Sequence, residues 1–297
     1  MRFHWAFTRH TRIWFAISAL LVLVAIVGLA WRGLNYGIDF TGGTQMDLKF
    51  AQNTQVAQVE RVLAQNGLGD STVVRLGQTG NEFLITTPNI SETQRNTLLE
   101  KLKTQVGAFQ EVSTNRVSSI IGQQTEQKAL IAVLIAIAAI ILYITIRFEF
   151  RFALSGILAM VHDVVITVGL IALIHIQLSQ YFIMAILTIF GYSITDKIIV
   201  FDRIRENLQR RRKQEGYEEM VDLSLNQVLV RSIYTSTTVL IALATLLAFA
   251  GSNIRDFSLT MFIGVAVGTY SSICIASPIW LILRQREERR ARPRAAS

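Results

Sequence analysis

Six long apolar runs dominate the chain, and each has about the length of a membrane-spanning helix. A helix needs about 20 apolar residues to cross about 30 Å of hydrocarbon. The runs cover residues 13–31, 129–146, 152–174, 181–201, 233–250 and 259–283. They are continuous rather than alternating stripes, so the pattern predicts a polytopic α-helical membrane protein with six transmembrane helices, the first at 13–31 and the others within 129–283.

The only large polar region, residues 32–128, has the pattern of a small α+β domain. Strand-like runs at 45–50, 71–76, 82–87 and 109–117 are interleaved with helical periodicity at 54–66 and 91–106, and a hairpin turn is expected at 77–80. The order is βαββαβ, which predicts a ferredoxin-like domain with two helices on a four-stranded antiparallel sheet.

Charge then orients the spans. The chain has 29 Lys and Arg against 21 Asp and Glu, a net charge of +8. The basic residues concentrate in 1–12, 147–151, 203–213 and 284–294, whereas the alternate loops are nearly free of them. By the positive-inside rule both termini (1–12 and the tail 284–297) and the loop 202–231 are cytoplasmic, and 32–128 is periplasmic, that is, extracytoplasmic.

Three regions near the membrane surface were interpreted further. Basic residues precede the first run, but its length and the lack of a cleavage site favour a retained signal anchor. The loop 202–231 is amphipathic and predicts a helix lying along the inner face. The basic tail is by default solvated, with anionic membrane lipids as an alternative partner, and no nucleic acid is needed to explain the charge.

Four charged residues lie inside the spans or at their margins: Asp163, Asp196, Lys197 and Arg231. Each costs roughly 2.5 to 3.5 kcal/mol near the centre of a span, so they are candidates for function. A rise of about 1.5 Å per residue places Asp163 roughly 16 Å and Asp196 roughly 9 Å from the cytoplasmic face. An arginine that moves to or from a buried carboxylate would release or load a proton, so Asp163, Asp196 and Arg231 predict a proton relay.

Other polar residues support this site. Tyr192 lies one turn before Asp196, hydroxyls at 235–238 follow the start of the fifth span, and His162 is interpreted as packed or facing the headgroups. Lys197 points roughly 100° away from Asp196, which favours a partner on another chain. The alternative is that Asp196 and Lys197 lie near the cytoplasmic end, where the lysine snorkels to water.

A glycine-rich stretch follows the first span directly. It contains Gly37, Asp39, Phe40, Gly42 and Gly43. As a phosphate-binding loop the match is weak, because no Lys-Ser or Lys-Thr follows the glycines. A hinge or packing joint between the membrane part and the outer domain fits better, since glycine permits close backbone approach.

Three stretches carry a resemblance to a known family. Gly-Ile-Asp-Phe-Thr-Gly-Gly at 37–43, Val-His-Asp-Val at 161–164 and the run from Gly191 to Asn207 resemble the signature motifs of the SecF family. SecF is the smaller half of the bacterial SecD/SecF protein-export membrane complex, in the RND superfamily. Six spans with one outer domain after the first resemble that family over essentially the whole chain, so an RND-like half is expected.

The resemblance implies a function in protein export. SecD would be an obligate partner, and the complex would join the SecYEG translocon to draw unfolded preproteins outward after SecA has pushed them in, using the proton motive force. YajC-like and YidC-like accessory proteins are further expected partners. The location would be the inner membrane, with no enzymatic activity, no cofactor and no metal. H⁺ is the expected coupling ion, and Na⁺ stays open as the alternative.

The resemblance also assigns roles to residues. Asp196 corresponds to the intramembrane Asp of the fourth span, Arg231 to the Arg that opens the fifth, and Asp163 to the His-Asp of the third. Many members have Asn at the position of Thr195 and a small polar residue at that of Lys197. The extra lysine therefore leaves the local charge balance open.

Two other functions were weighed. A stand-alone RND-like exporter of lipids or small molecules would normally carry two six-span halves, and this chain has one. An intramembrane aspartyl protease would also place two Asp residues on adjacent spans, but the sequences around Asp163 and Asp196 do not resemble the Tyr-Asp and Gly-x-Gly-Asp motifs of those enzymes.

Overall fold

The fold is seen in a computed structural model that describes residues 5–76, 80–211 and 216–291. Six of its helices are long and apolar enough to cross a membrane, which confirms the predicted number of spans. The helices are α1 (Thr11–Arg32), α2 (Ile38–Thr41), α3 (Val56–Gln65), α4 (Glu92–Gln105), α5 (Ser119–Arg147), α6 (Phe150–Ile174), α7 (Gln180–Arg210), α8 (Tyr217–Phe249), α9 (Ser252–Ser271) and α10 (Ser277–Ala291). A 3₁₀ turn, Thr8–His10, precedes α1, and a π-helical turn, Ser272–Ala276, joins α9 to α10 within the sixth span.

The strands form two sheets. They are β1 (Asn35–Tyr36), β2 (Gly43–Phe50), β3 (Thr72–Leu76), β4 (Glu82–Thr87), β5 (Phe109–Val117) and β6 (Gln177–Leu178). The chain divides into a membrane unit, Met1–Asn35, Val133–Ile176 and Tyr181–Ser297, and an outer unit, Tyr36–Ala132 and Gln177–Gln180. Each unit has its own core.

The outer unit has the predicted ferredoxin-like order. Its four-stranded sheet runs β3-β4-β2-β5, and every neighbouring pair is antiparallel. Alternate residues of β2 and β4 turn their side chains to one face, where α3 and α4 cover them. The resulting core consists of Met46, Leu48, Phe50, Val59, Val62, Leu63, Phe83, Ile85, Leu98 and Leu102. The predicted hairpin turn at 77–80 falls mostly outside the described residues.

Asp47 lies between two core residues of β2, so its side chain turns to the other face of the sheet. It is only 5% exposed, and its Oδ1 has no hydrogen-bond partner among the described residues. Burial, with a smaller contribution from the charge of Glu82, raises the pKa of Asp47 from 3.8 to about 6. The folded outer unit therefore favours the protonated carboxyl.

Asp47→Asn is expected to stabilise the outer unit at pH 8 by on the order of 2 kcal/mol, with no gain below about pH 4. Because the pKa of Asp47 is higher in the folded state than in the unfolded state, the parent loses stability as the pH rises from 3.8 to about 6. Hydrogen exchange of the β2 amides in the full chain measures it. Lys49→Gln, at an exposed position of the same strand, is the control. If the stability difference between Asp47→Asn and the parent is the same at both pH values, the pKa of Asp47 is not raised in the folded unit.

In the membrane unit the third, fourth and sixth spans form the centre. In the sixth span 61% of the most apolar window is buried, against 6% in the second. The aromatic part of the core stacks Trp280 on Phe152, with ring centroids 4.9 Å apart, and Phe201 lies 5.3 Å from Phe152. Among the described residues of this unit, the buried charged side chains, Asp163, Asp196 and Lys197, lie on α6 and α7.

Small residues bring α1 against α6. A Cβ added to Gly169 would lie 2.3 Å from the Cβ of Ala25, and one added to Gly28 would lie 2.9 Å from the Cβ of Leu173. Such close contacts are typical of helix pairs in membranes, where packing rather than the hydrophobic effect drives association. The contact brings Ser18 of α1 within reach of His162 of α6.

The structure corrects the prediction of a long loop at 202–231. α7 continues to Arg210 and α8 begins at Tyr217, so the apolar residues of that stretch form the first turns of α8 rather than a separate helix on the inner face. Met220, Val221 and Leu225 are buried in the core of the membrane unit. No proline or glycine separates these residues from the span, so the helical period continues into it. Residues 212–215, and 1–4 and 292–297 of the predicted termini, lie outside the described residues.

Candidate functional site

A fully buried ion pair joins α6 to α7. The Lys197 Nζ lies 2.6 Å from the Asp163 Oδ2, and neither side chain is exposed. The same ammonium donates to the Ser193 Oγ at 2.6 Å and to the Ser271 Oγ at 3.1 Å. An ammonium has three protons to donate, and three oxygens receive them. The charge is therefore fully satisfied within the chain.

The second oxygen of Asp163 leads to the first span. Its Oδ1 lies 3.0 Å from the His162 Nδ1, and the His162 Nε2 lies 3.0 Å from the Ser18 Oγ. Ser18 in turn lies 3.2 Å from the hydroxyl of Tyr270, which donates to the carbonyl of Trp14. A continuous polar chain thus runs from Asp163 and His162 on α6 to Ser18 on α1 and then to Tyr270 on α9.

Asp196 is close to this pair but is bound differently. Its Oδ1 accepts a hydrogen bond from the Ser232 Oγ at 2.9 Å, whereas its Oδ2 is buried without a partner among the described residues. Ser272 lies beside the carboxylate, but its hydroxyl proton is donated to the carbonyl of Gly268 at 2.7 Å. A buried, unpartnered carboxylate oxygen is costly, and a proton on it would remove that cost.

Asp196 also forms part of the wall of a groove of about 420 Å³ between α7 and α8. The other lining residues are Thr188, Gly191, Tyr192, Thr195, Ile199 and Thr235. The Tyr192 hydroxyl donates to the Ser236 Oγ at 3.1 Å, and Ser236 lies 2.6 Å from the Thr269 Oγ1. Asp196 is thus the carboxylate next to the open side, and Asp163 is the enclosed one.

The structure does not bring Arg231 to Asp196. Arg231 is exposed, and within the described part of the chain no ion pair joins the two residues. It lines a separate groove with Asp202, Arg203 and Glu206. The next residue, Ser232, faces Asp196 instead, because successive residues on a helix point about 100° apart. The predicted Asp196–Arg231 pair is therefore absent from this conformation.

The structure contradicts both expectations for Lys197 and agrees with the packed alternative for His162. Lys197 neither snorkels nor waits for another chain, because the rotation that turns it away from Asp196 turns it toward Asp163 on α6. His162 is bonded to the site rather than to headgroups. Thr235 and Thr238 bond the carbonyls four residues earlier on α8, as isolated hydroxyls in spans often do.

Three residues that bind the charged side chains were missed by the sequence reasoning: Ser193, Ser232 and Ser271. Ser193 is four residues before Lys197 on α7 and so shares its face, a signal that the spacing alone offered. Ser271 lies just before the π-helical turn, for which the sequence has no local signal. Short π-helical segments often occur at functional sites.

The site also differs from a protease dyad. In an aspartyl protease two carboxylates share a proton without a fixed counter-ion. Here Lys197 is bound to Asp163, and Asp196 is bonded to Ser232. The two Asp residues are therefore bound to different partners.

In the outer unit the glycine stretch forms a tight packing joint. Gly42 has φ +75° and Gly43 has φ +144°, a region that favours glycine. A Cβ on Gly42 would lie 2.8 Å from the backbone of Ser119, and one on Gly43 would lie 2.6 Å from the carbonyl of Thr87. Side chains at these positions would force the backbone apart.

The remaining residues of this stretch are fixed in the same joint. The Asp39 Oδ2 accepts from the backbone N–H of Gln180 at 2.9 Å, and the Gly37 N–H donates to the carbonyl of Leu178 at 2.8 Å. Phe40 is buried. The packing role is thus supported within the outer unit, and a hinge motion stays a prediction.

Comparisons with known proteins agree with this architecture. Residues 97–286 match the family model of the protein export membrane protein SecD/SecF, C-terminal, and residues 28–54 match the SecD/SecF GG motif. The second match includes the glycine stretch of the packing joint.

Individual relatives match over nearly the whole chain. The protein translocase subunit SecF of Sebaldella termitidis is 38% identical over 92% of this chain and 90% of its own length. The protein translocase subunit SecDF of Thermus thermophilus is also 38% identical over 92% of this chain, which corresponds to 38% of that longer protein.

Solved structures show the same similarity. The crystal structure of SecDF from Thermus thermophilus, described as a translocon-associated membrane protein, superposes with a TM-score of 0.86 at 37% identity, over 97% of this chain and 39% of that one. A structure of SecDF in a super-membrane-facing form gives a TM-score of 0.70, over 98% of this chain and 40% of that one. The chain therefore belongs to the SecF family of protein translocase subunits.

Proposed function

We propose that the chain is the SecF half of a proton-driven complex that completes protein export, and that Asp163, Lys197 and Asp196 are its proton-responsive centre. The observation that carries this proposal is the buried ion pair of 2.6 Å beside a carboxylate with an unpartnered oxygen. Charges inside a membrane are costly and mark ion pathways by default.

The proton enters at Asp196, which borders the groove. Binding of a proton to its Oδ2 makes the carboxyl a donor, and Ser272 has lone pairs free to accept from it. Ionised Asp196 competes with Asp163 for the positive charge of Lys197, and neutral Asp196 does not. A proton on Asp196 therefore strengthens the attraction between Lys197 on α7 and Asp163 on α6, and it weakens the attraction between Lys197 and Asp196. This change biases the packing of the spans. A membrane potential supplies about 2.3 kcal/mol per charge per 100 mV.

Arg231 remains a proposed participant in a second conformation. It is adjacent in sequence to Ser232, the present partner of Asp196. A rotation of α8 by about 100° would exchange the two side chains. Arginine beside Asp196 would then favour release of the proton, so that the two positions of α8 would alternate between loading and release.

A SecD-type subunit is the proposed partner. The Thermus thermophilus relative carries this chain's counterpart as 38% of a protein named SecDF, so in that protein the remainder is covalently attached. In this chain the carboxylate of Asp196 borders a groove, and polar groups there are unfit for lipid. A second helical subunit over the groove would enclose it. SecYEG, SecA and unfolded preproteins complete the proposed setting, in the inner membrane with both termini cytoplasmic.

The partner requirement is tested in vesicles that hold SecYEG, SecA and an export reporter. Gradient-dependent export is expected when this chain and a SecD-like subunit are both present, and only the basal SecA-driven export when either is omitted. Full gradient-dependent export with this chain alone would contradict the proposal. It would favour a chain that works without a second half.

A further inference from the structure

We propose that the Lys197 ammonium is a tethered cation that closes an oxygen-lined cation site to Na⁺. The inference deepens the proposed function, on which it rests for its physiological meaning. The sequence left open whether H⁺ or Na⁺ drives the complex. The structure assigns that lysine a position that a free cation would otherwise take.

The geometry around the ammonium is that of a cation site. Three oxygens converge on the Nζ: the Asp163 Oδ2 and the Ser193 Oγ, each at 2.6 Å, and the Ser271 Oγ at 3.1 Å. One carboxylate with hydroxyl oxygens is a ligand set that suits hard cations. All these residues are buried, so bulk water does not supply a competing shell.

The oxygens come from three helices and are held from behind. Asp163 lies on α6, Ser193 on α7 and Ser271 on α9. Asp163 is fixed further by His162, and Ser271 donates to the carbonyl of Gly268 at 3.2 Å. The set is therefore organised by the packing of the membrane unit and not by the lysine alone.

A covalently attached charge excludes a free one for two reasons. Two positive charges a few ångströms apart repel strongly in a medium of low dielectric constant, so Na⁺ cannot bind beside the ammonium. The lysine cannot withdraw either, because its whole side chain is enclosed. Na⁺ would have to displace a stem of four methylene groups from a closed core.

Shortening the lysine tests this directly. Lys197→Ser removes the charge, leaves the three oxygens, adds a fourth and opens the space of the stem. Lys197→Met is the matched control, because it removes the charge but fills that space. Lys197→Ser combined with Asp163→Asn keeps the space but removes the carboxylate that would attract the ion.

The measurement is the melting temperature of the full chain, copurified with its SecD-type partner in detergent, in NaCl against choline chloride at equal ionic strength. In the Lys197→Ser protein, about 100 mM Na⁺ is expected to raise the Tm by about 3 to 8 °C. The parent, Lys197→Met and the double variant are expected to melt at the same temperature in both salts. Recovery of folded Lys197→Ser protein only from NaCl would also support the proposal.

Three results would overturn it: a folded Lys197→Ser protein without a Na⁺-dependent shift, a parent that Na⁺ stabilises as much, or Lys197→Ser protein that cannot be recovered in either salt. The last counts because a site that accepts Na⁺ would restore the charge balance. Failure of the proton-driven function would appear differently, as parent export that ignores the proton gradient while the Na⁺ shift of Lys197→Ser persists.

Discussion

Lys197→Met is expected to lower the free energy of unfolding of the membrane unit by about 3 to 5 kcal/mol, and adding Asp163→Asn is expected to recover most of that loss. Removing one member of a buried ion pair leaves an uncompensated charge, whereas replacing both leaves neutral groups. Here the effect should lie at the high end, because both side chains are fully enclosed and the ammonium has three acceptors.

Reversible unfolding in mixed detergent micelles, followed by helical circular dichroism, measures Lys197→Met, Asp163→Asn and the double variant. Ile198→Met on the same helix is the control, since a swap between apolar side chains of similar volume costs less than about 1.5 kcal/mol. If the double variant loses the sum of the two single losses, Asp163 and Lys197 do not interact, and the ion pair is not the centre of the unit.

The sequence was sufficient for the elements because their signals are local. Six apolar runs of spanning length became six helices, and strand alternation with helical periodicity became the βαββαβ domain. Ser91, for example, caps α4, because its hydroxyl accepts a hydrogen bond from the backbone N–H of Gln94. In return, the side-chain oxygen of Gln94 accepts a hydrogen bond from the backbone N–H of Ser91. Such features depend on a few neighbouring residues.

Which charged residues would be buried in the spans was also predictable, but their partners were not. The cost of intramembrane charge marks Asp163, Asp196 and Lys197 without any structure. Their pairing depends on which helix packs against which face, and a step of one residue changes the face by about 100°. Arg231 and Ser232 are one such step apart. The sequence therefore indicated the correct turn of α8 for the partner of Asp196 but named Arg231, whereas the partner is Ser232.

The site's third helix was less predictable still. Ser271 reaches Lys197 just before the π-helical turn Ser272–Ala276, where the register of the sixth span shifts. Apolar periodicity continues through this segment, so nothing in the sequence marks the shift.

Asp196→Asn is expected to abolish the increment in export that the proton gradient provides, with membrane insertion and partner binding intact. Asn keeps the size of the side chain and can still accept from Ser232, but it cannot take up a proton. Thr195→Asn is the matched control, because it makes the same kind of side chain at the adjacent, exposed position and leaves the carboxylate in place. That variant is expected to export as the parent does.

We propose that Asp196 carries the proton that drives export. Secretion of a reporter from vesicles, with the proton gradient imposed and then collapsed, tests this for the parent, Asp196→Asn and Thr195→Asn. The parent and Thr195→Asn are expected to fall to basal export when the gradient collapses, and Asp196→Asn is expected to export at that basal level throughout. If Asp196→Asn keeps the parent's full gradient-dependent gain, Asp196 is not the relay.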